Sequence, residues 1–121
     1  MTRLNLTVIR SADIHRSADF YRNFDLEFEL HSHGKGPPHF ATLNTKTVFE
    51  IYPATEKMPV SKSTRIGFEV QSCEMVIKRT LEKGYDVVSM PKESPWGLRA
   101  VVKDPDGHSV EIISQTKIGE V

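Results

Sequence analysis

The sequence has one cysteine, Cys73, one tryptophan, Trp96, and no net charge. A lone cysteine excludes an internal disulfide and fits a reducing compartment, so a cytoplasmic location is expected. Sixteen basic residues balance sixteen acidic ones. That balance offers no electrostatic footprint for nucleic acid or an anionic membrane, and neither is expected as a partner. No apolar run is long enough to cross a bilayer, and Met1 to Asn5 opens no apolar leader, so no signal peptide is expected. A chain of 121 residues is one domain by the usual size prior, with enough length for a real core.

What is present centres on WGLRAVVKDPDGHSVEII, Trp96 to Ile113. Leu98 to Lys103 and Ser109 to Ile113 alternate and are rich in β-branched residues, so they predict the arms of a β-hairpin. Asp104-Pro105-Asp106-Gly107 supplies the turn: Pro105 presets φ, Asp106 can bond its own backbone, and Gly107 accepts a positive φ. Glu111 is the odd residue. A carboxylate inside Val110-Glu111-Ile112-Ile113 costs several kcal/mol unless it meets a cation, a metal or water. The strand must therefore face something polar, such as a cavity.

Along the chain, 4–9 predicts a strand. Residues 14–23 predict an amphipathic helix capped by Asp13, with Ile14, Ala18, Tyr21 and Phe24 as its apolar stripe. Strands are expected at 26–30, 39–43 and 47–52, with a glycine- and proline-rich loop over 31–38. Residues 54–63 predict a linker. The order then repeats: a strand over 65–70 and a helix over 73–83 with Met75, Val76, Ile77 and Leu81 as its stripe, ended by Gly84. A strand over 86–90, a loop over 91–96 and the hairpin follow. Both halves thus predict β-α-β-β-β, with Glu50 in Phe49-Glu50-Ile51 matching Glu111, an internal duplication of structure.

This order, with IRSADIHRSADFYRNF near the start and LRAVVKDPDGHSVEI near the end, resembles the glyoxalase/bleomycin resistance/extradiol dioxygenase (vicinal oxygen chelate) superfamily from Leu4 to about Ser114. The resemblance implies an α+β fold. Two βαβββ modules, 3–53 and 64–115 joined by the linker 54–63, form an open eight-stranded barrel-like sheet with helices outside, often as a homodimer. It does not imply one chemistry, because lyases, isomerases, dioxygenases and antibiotic-binding proteins share the scaffold. Metal-using relatives carry four ligands, typically His and Glu, on the first and last strand of each module. The matching positions here are Leu6, Glu50, Arg65 and Glu111. Leucine has no lone pair and arginine is a permanent cation, so two carboxylates remain where a metal site needs more.

The resemblance and the strand alternation together predict a central pocket lined by Leu6, His39, Glu50, Tyr52, Arg65, Trp96, Arg99 and Glu111. Glu50 and Glu111 fit a structural ion pair with Arg65, whose guanidinium would occupy the place of the relatives' metal. They also fit a catalytic base, or, if a divalent metal is held, its ligands. No cofactor is expected. His39 follows two prolines and fits a general base, a ligand contact or a half-exposed strand-end histidine. His31 and His33 could bind a surface metal by their alternate spacing, or lie solvated in their loop. His15 and His108 read as exposed. Trp96 fits a pocket rim covering an apolar ligand or a loop anchor, and Arg99 fits an acidic ligand or open water. Cys73 begins a helix, where a thiolate would be stabilised, or is an inert core thiol. The expected function is binding of a small, partly apolar molecule without the usual metal. The alternatives are a metal-dependent lyase or dioxygenase using Glu50 and Glu111, and a purely structural dimer. An enzyme and a binding protein both fit these residues.

Overall fold

In the computed structural model, which describes residues 1–115, each half of the chain builds its own four-stranded sheet with one helix. The chain divides into two compact units, one of Met1–Ser61 and one beginning at Lys62. The first runs β1 (Leu6–Ser11), α1 (Ile14–Tyr21), a 3₁₀ turn (Arg22–Phe24), β2 (Phe28–His31), β3 (His39–Thr42) and β4 (Val48–Pro53). The second runs β5 (Arg65–Glu69), α2 (Cys73–Glu82), β6 (Val87–Ser94), β7 (Gly97–Lys103) and β8 (Ser109–Ser114). The strand orders are β1-β4-β3-β2 and β5-β8-β7-β6, with the outer pairs β1/β4 and β5/β8 parallel. This is the α+β class and the twice-repeated βαβββ order expected from the sequence. Among the described residues no helix is long and apolar enough to cross a membrane.

In the first unit, Asp13 caps α1 by accepting from the backbone N–H groups of His15 and Arg16, each at 3.1 Å. Ala18, Tyr21 and Phe24 are buried as the periodicity requires, Ile14 is half-buried, and Phe20 joins them. Tyr21 meets Phe49 edge-on at 4.9 Å and Phe20 at 5.1 Å, the arrangement that aromatic quadrupoles favour. Phe49 and Ile51 of β4 point into this cluster and are buried, so alternation puts Val48, Glu50 and Tyr52 on the other face of the sheet.

The second unit repeats the plan with smaller side chains. Ser72 caps α2 through Met75 N–H at 3.2 Å, and the Ser114 hydroxyl accepts from Cys73 N–H at 3.0 Å. The buried stripe of α2 is Cys73, Val76, Ile77 and Thr80, which packs beside Ala100, Val102, Val110 and Ile112. Met75 and Leu81, expected in that stripe, are instead exposed at 46% and 48%. A 100° step per residue puts Thr80 where Leu81 was expected, and its hydroxyl is satisfied by Val76 C=O at 2.8 Å. The loop expected over 91–96 is also corrected: β6 continues through Pro91 to Ser94, with register shifts along its pairing to β7. An edge strand tolerates proline because one side of its backbone needs no partner. The turn into β7 requires Gly97. Its φ is +129°, and a Cβ there would lie 2.4 Å from the carbonyl oxygen of Ser114.

Candidate functional site

Strand alternation leaves one polar face on each sheet, opposite the helix. In the first unit that face carries Glu50 and Tyr52 on β4, Leu6, Val8 and Arg10 on β1, and His39 and Ala41 on β3. His39 and Tyr52 stack, ring centroids 4.1 Å apart and 8° from parallel. The guanidinium of Arg10 covers Tyr52 at 5.0 Å and donates to Pro53 C=O at 3.2 Å. His39 Nδ1–H donates to Pro37 C=O at 3.1 Å, which turns Nε2 towards Glu50 Oε2, 3.7 Å away. His39 is therefore a buried residue at 2% exposure, not a half-exposed strand end.

In the second unit the equivalent face carries Glu111 and Ile113 on β8, Gly67 and Glu69 on β5, and Arg99 and Val101 on β7. Arg99 Nε–H donates to Glu111 Oε1. Glu111 thus takes Arg99 as its partner in this unit, not Arg65, which is an exposed residue opposite Ser109 at the start of β5. The pairing fails for Arg65 because the residue opposite Glu111 on the first strand is Gly67. A Cβ at Gly67 would lie 3.5 Å from Glu111 Oε2, so this small residue leaves room beside the carboxylate. A cleft of about 340 Å³ opens there, lined by Gly67, Phe68, Glu69, Trp96, Glu111 and Ile113, with Gln115 at its end. Trp96 stands 68% exposed at this cleft.

The same register shift applies in the first unit: Val8, not Leu6, is opposite Glu50, and Leu6 is 47% exposed. Val8 and Gly67 offer no lone pair to a cation, and a guanidinium already holds Glu111. The donors at the two carboxylate positions therefore do not fit the metal that relatives of this fold carry there.

His108 is not an exposed turn residue. It is 1% exposed, and Nδ1 bonds Asp104 Oδ2 at 2.7 Å. Asp104 Oδ1 also accepts from the N–H groups of Asp106 and His108, each at 2.9 Å. The hydrogen bond to Asp104 raises the His108 pKa above 6.5 against the opposing effect of burial, with the charges of Asp104 and Asp106 adding to the rise. Asp104, Asp106 and His108 have metal-ligand spacing, but both Asp104 oxygens and His108 Nδ1 are used to build the β7–β8 turn. Cys73 is fully buried, and burial, then Glu74, pushes its thiol up to about 11, so it stays protonated at neutral pH.

A third cluster lies at the open end of the first sheet, where one ring nitrogen from each of His31, His33 and His39 lies within 4.8 Å of the other two. The pattern His-x-His followed by five residues and His carried that signal in the sequence. Its weight was unreadable until the β2–β3 register put His31 opposite His39. Arg10, Val8 and Gly67 had no such signal, since they matter only through the strands beside them.

Among curated proteins no significant match is found. Solved structures share the fold at low identity. TnmS3, an antibiotic binding protein from Streptomyces sp. CB03234, superposes with a TM-score of 0.77 at 20% identity, covering 96% of this chain and 98% of its own. A glyoxalase/bleomycin resistance protein from the same Streptomyces gives 0.75 at 22% identity over 92% and 99%. TioX from Micromonospora sp. ML1 gives 0.71 at 20% identity over 92% and 97%. The sequence itself matches the model of one family over residues 3–112, and with the strand order above this chain belongs to the Glyoxalase/Bleomycin resistance protein/Dioxygenase superfamily.

Proposed function

We propose that this chain binds a small, partly apolar molecule and does so without a metal on Glu50 or Glu111. The observation that carries this reading is the cleft of the second unit, where the exposed indole of Trp96 and the carboxylate of Glu111 line one space. A flat apolar body would cover the indole, and a hydroxyl, amine or amide N–H on it would donate to Glu111. Arg99 holds that carboxylate in place as an acceptor. In the first unit, the stacked His39 and Tyr52 beside Glu50 offer a similar mixture of ring face and carboxylate. The antibiotic-binding description of TnmS3 supports the same class of ligand. A metal-dependent lyase or dioxygenase using Glu50 and Glu111 is the weaker reading, because Glu111 is held by Arg99 opposite Gly67, and Glu50 has Val8 opposite it and only His39 beside it as a further donor. A homodimer is proposed as the working form: β1 is an edge strand, Leu6 and Val8 are exposed on it, and Leu4 is exposed just before it. Sedimentation at micromolar concentration tests that point, and a monomer there would refute it.

The test of binding is a thermal-shift screen of small acids, phenols and thiol conjugates, read alongside the emission of the single tryptophan. A ligand at a hundredfold its Kd adds about 2.7 kcal/mol of stability, an easily read rise in Tm. A hit should also change Trp96 emission saturably, and Trp96→Ala should remove most of its thermal shift. Hits that stabilise Trp96→Ala as well as the parent and leave the emission unchanged would overturn the assignment of the cleft.

A further inference from the structure

We propose that His31, His33 and His39 form a binding site for a borderline divalent cation, zinc first among them, at the open end of the first sheet. The three residues belong to the first unit and the Trp96 cleft to the second, and the site does not rest on the proposed function. β2 and β3 are antiparallel, and His31 and His39 are their terminal facing pair. The connecting loop turns back on itself through a Gly36 N–H to His33 C=O bond at 2.8 Å. The three imidazoles then form a near-equilateral triangle, with ring centroids 5.2, 5.7 and 5.4 Å apart. Zinc holds imidazole nitrogens at about 2.0–2.1 Å, so tetrahedral donors stand roughly 3.4 Å apart. Donors already within 4.8 Å reach that spacing by small turns of the exposed His33 and the half-exposed His31 towards the buried His39.

The neighbours of the rings are those that metal-bound histidines keep. Glu29 Oε1 accepts from His31 Nε2–H at 2.9 Å, and Pro37 C=O accepts from His39 Nδ1–H at 3.1 Å. A carboxylate or carbonyl on one ring nitrogen fixes the tautomer, leaves the lone pair on the other and raises its basicity. For His39 that lone pair is on Nε2, which faces the carboxylate of Glu50 at 3.7 Å. Glu50 and Glu29 also place two negative charges beside the triad. Imidazole-rich sets of this kind select zinc, nickel and copper over magnesium or calcium.

The experiment is calorimetric titration of tag-free, chelator-stripped protein with zinc chloride at neutral pH, repeated with magnesium chloride. One zinc per chain is expected and no magnesium. Affinity should fall as pH is lowered, since ligation needs neutral imidazoles. Glu29→Gln should weaken zinc roughly 10-fold or more, the usual loss for the carboxylate behind a ligand histidine. His33→Ala should weaken it further while keeping the parental melting temperature in the absence of zinc, because His33 is exposed. Glu111→Gln should leave zinc affinity unchanged. The proposal is overturned if no stoichiometric zinc binds, if His31→Ala and His33→Ala both bind as the parent does, or if Glu111→Gln is the change that abolishes binding.

Discussion

The two units place a carboxylate at the same point of the same topology and surround it with different chemistry. Glu50 lies among rings, with stacked His39 and Tyr52 and the guanidinium of Arg10 over the tyrosine. Glu111 lies beside a guanidinium, a glycine and an exposed indole. Topology fixes where the acid sits; its partners come from single residues on the neighbouring strands, which the repeat does not constrain. The connections differ in the same way. The β3–β4 connection is held by hydroxyls, Thr42 to Thr45 at 2.6 Å and Thr42 to Phe49 N–H at 3.0 Å. The β7–β8 turn is held by a buried ion pair that also binds two backbone N–H groups.

The largest expected effect breaks that last contrast. Asp104→Ala leaves a buried imidazole and two backbone donors without their acceptor, and should cost about 3–5 kcal/mol by chemical denaturation. Thr42→Val in the first unit should cost only about 1 kcal/mol, as neutral hydrogen bonds do. Equal losses would mean that the two turns are not built differently in energetic terms. The Asp104–His108 pair also sets a pH dependence. The His108 pKa is raised on folding, so its contribution to stability is fully present below the unfolded value of about 6.5. It is lost as pH rises through the higher folded pKa. Melting curves from pH 6 to 9 should show this loss in the parent and not in His108→Gln.

A smaller effect is expected at the Glu111 partner. The Arg99 and Glu111 side chains are 30% and 32% exposed, so solvent screens the pair, and Arg99→Met should cost about 1 kcal/mol or less. Arg65→Met should change stability by less than about 0.5 kcal/mol, as exposed substitutions usually do. A larger loss for Arg65 than for Arg99 would return Glu111 to the partner expected from the sequence. Cys73 should give the smallest signal of all: a buried thiol with a pKa of about 11 should react with Ellman's reagent only as fast as the protein opens.

Element order was legible because it depends on local patterns: the Asp13 cap, the α1 stripe, and the Asp-Pro-Asp-Gly turn with Gly107 at φ +92°. Pro91 misled because proline breaks most strands, and only the sheet order reveals that β6 is an edge. The two acids were legible as polar residues inside apolar strands. Their partners were not, because Arg99 reaches Glu111 diagonally across a register that no single strand encodes. His108 read as a surface turn residue because burial of the turn depends on Asp104 drawing the ring inward.

The most direct test is an NMR titration of ¹⁵N-labelled protein with a ligand from the thermal-shift screen. The account predicts saturable shifts concentrated at the Gly67, Glu111 and Ile113 amides and the Trp96 indole N–H. Shifts that saturate elsewhere and leave those four signals in place would contradict it.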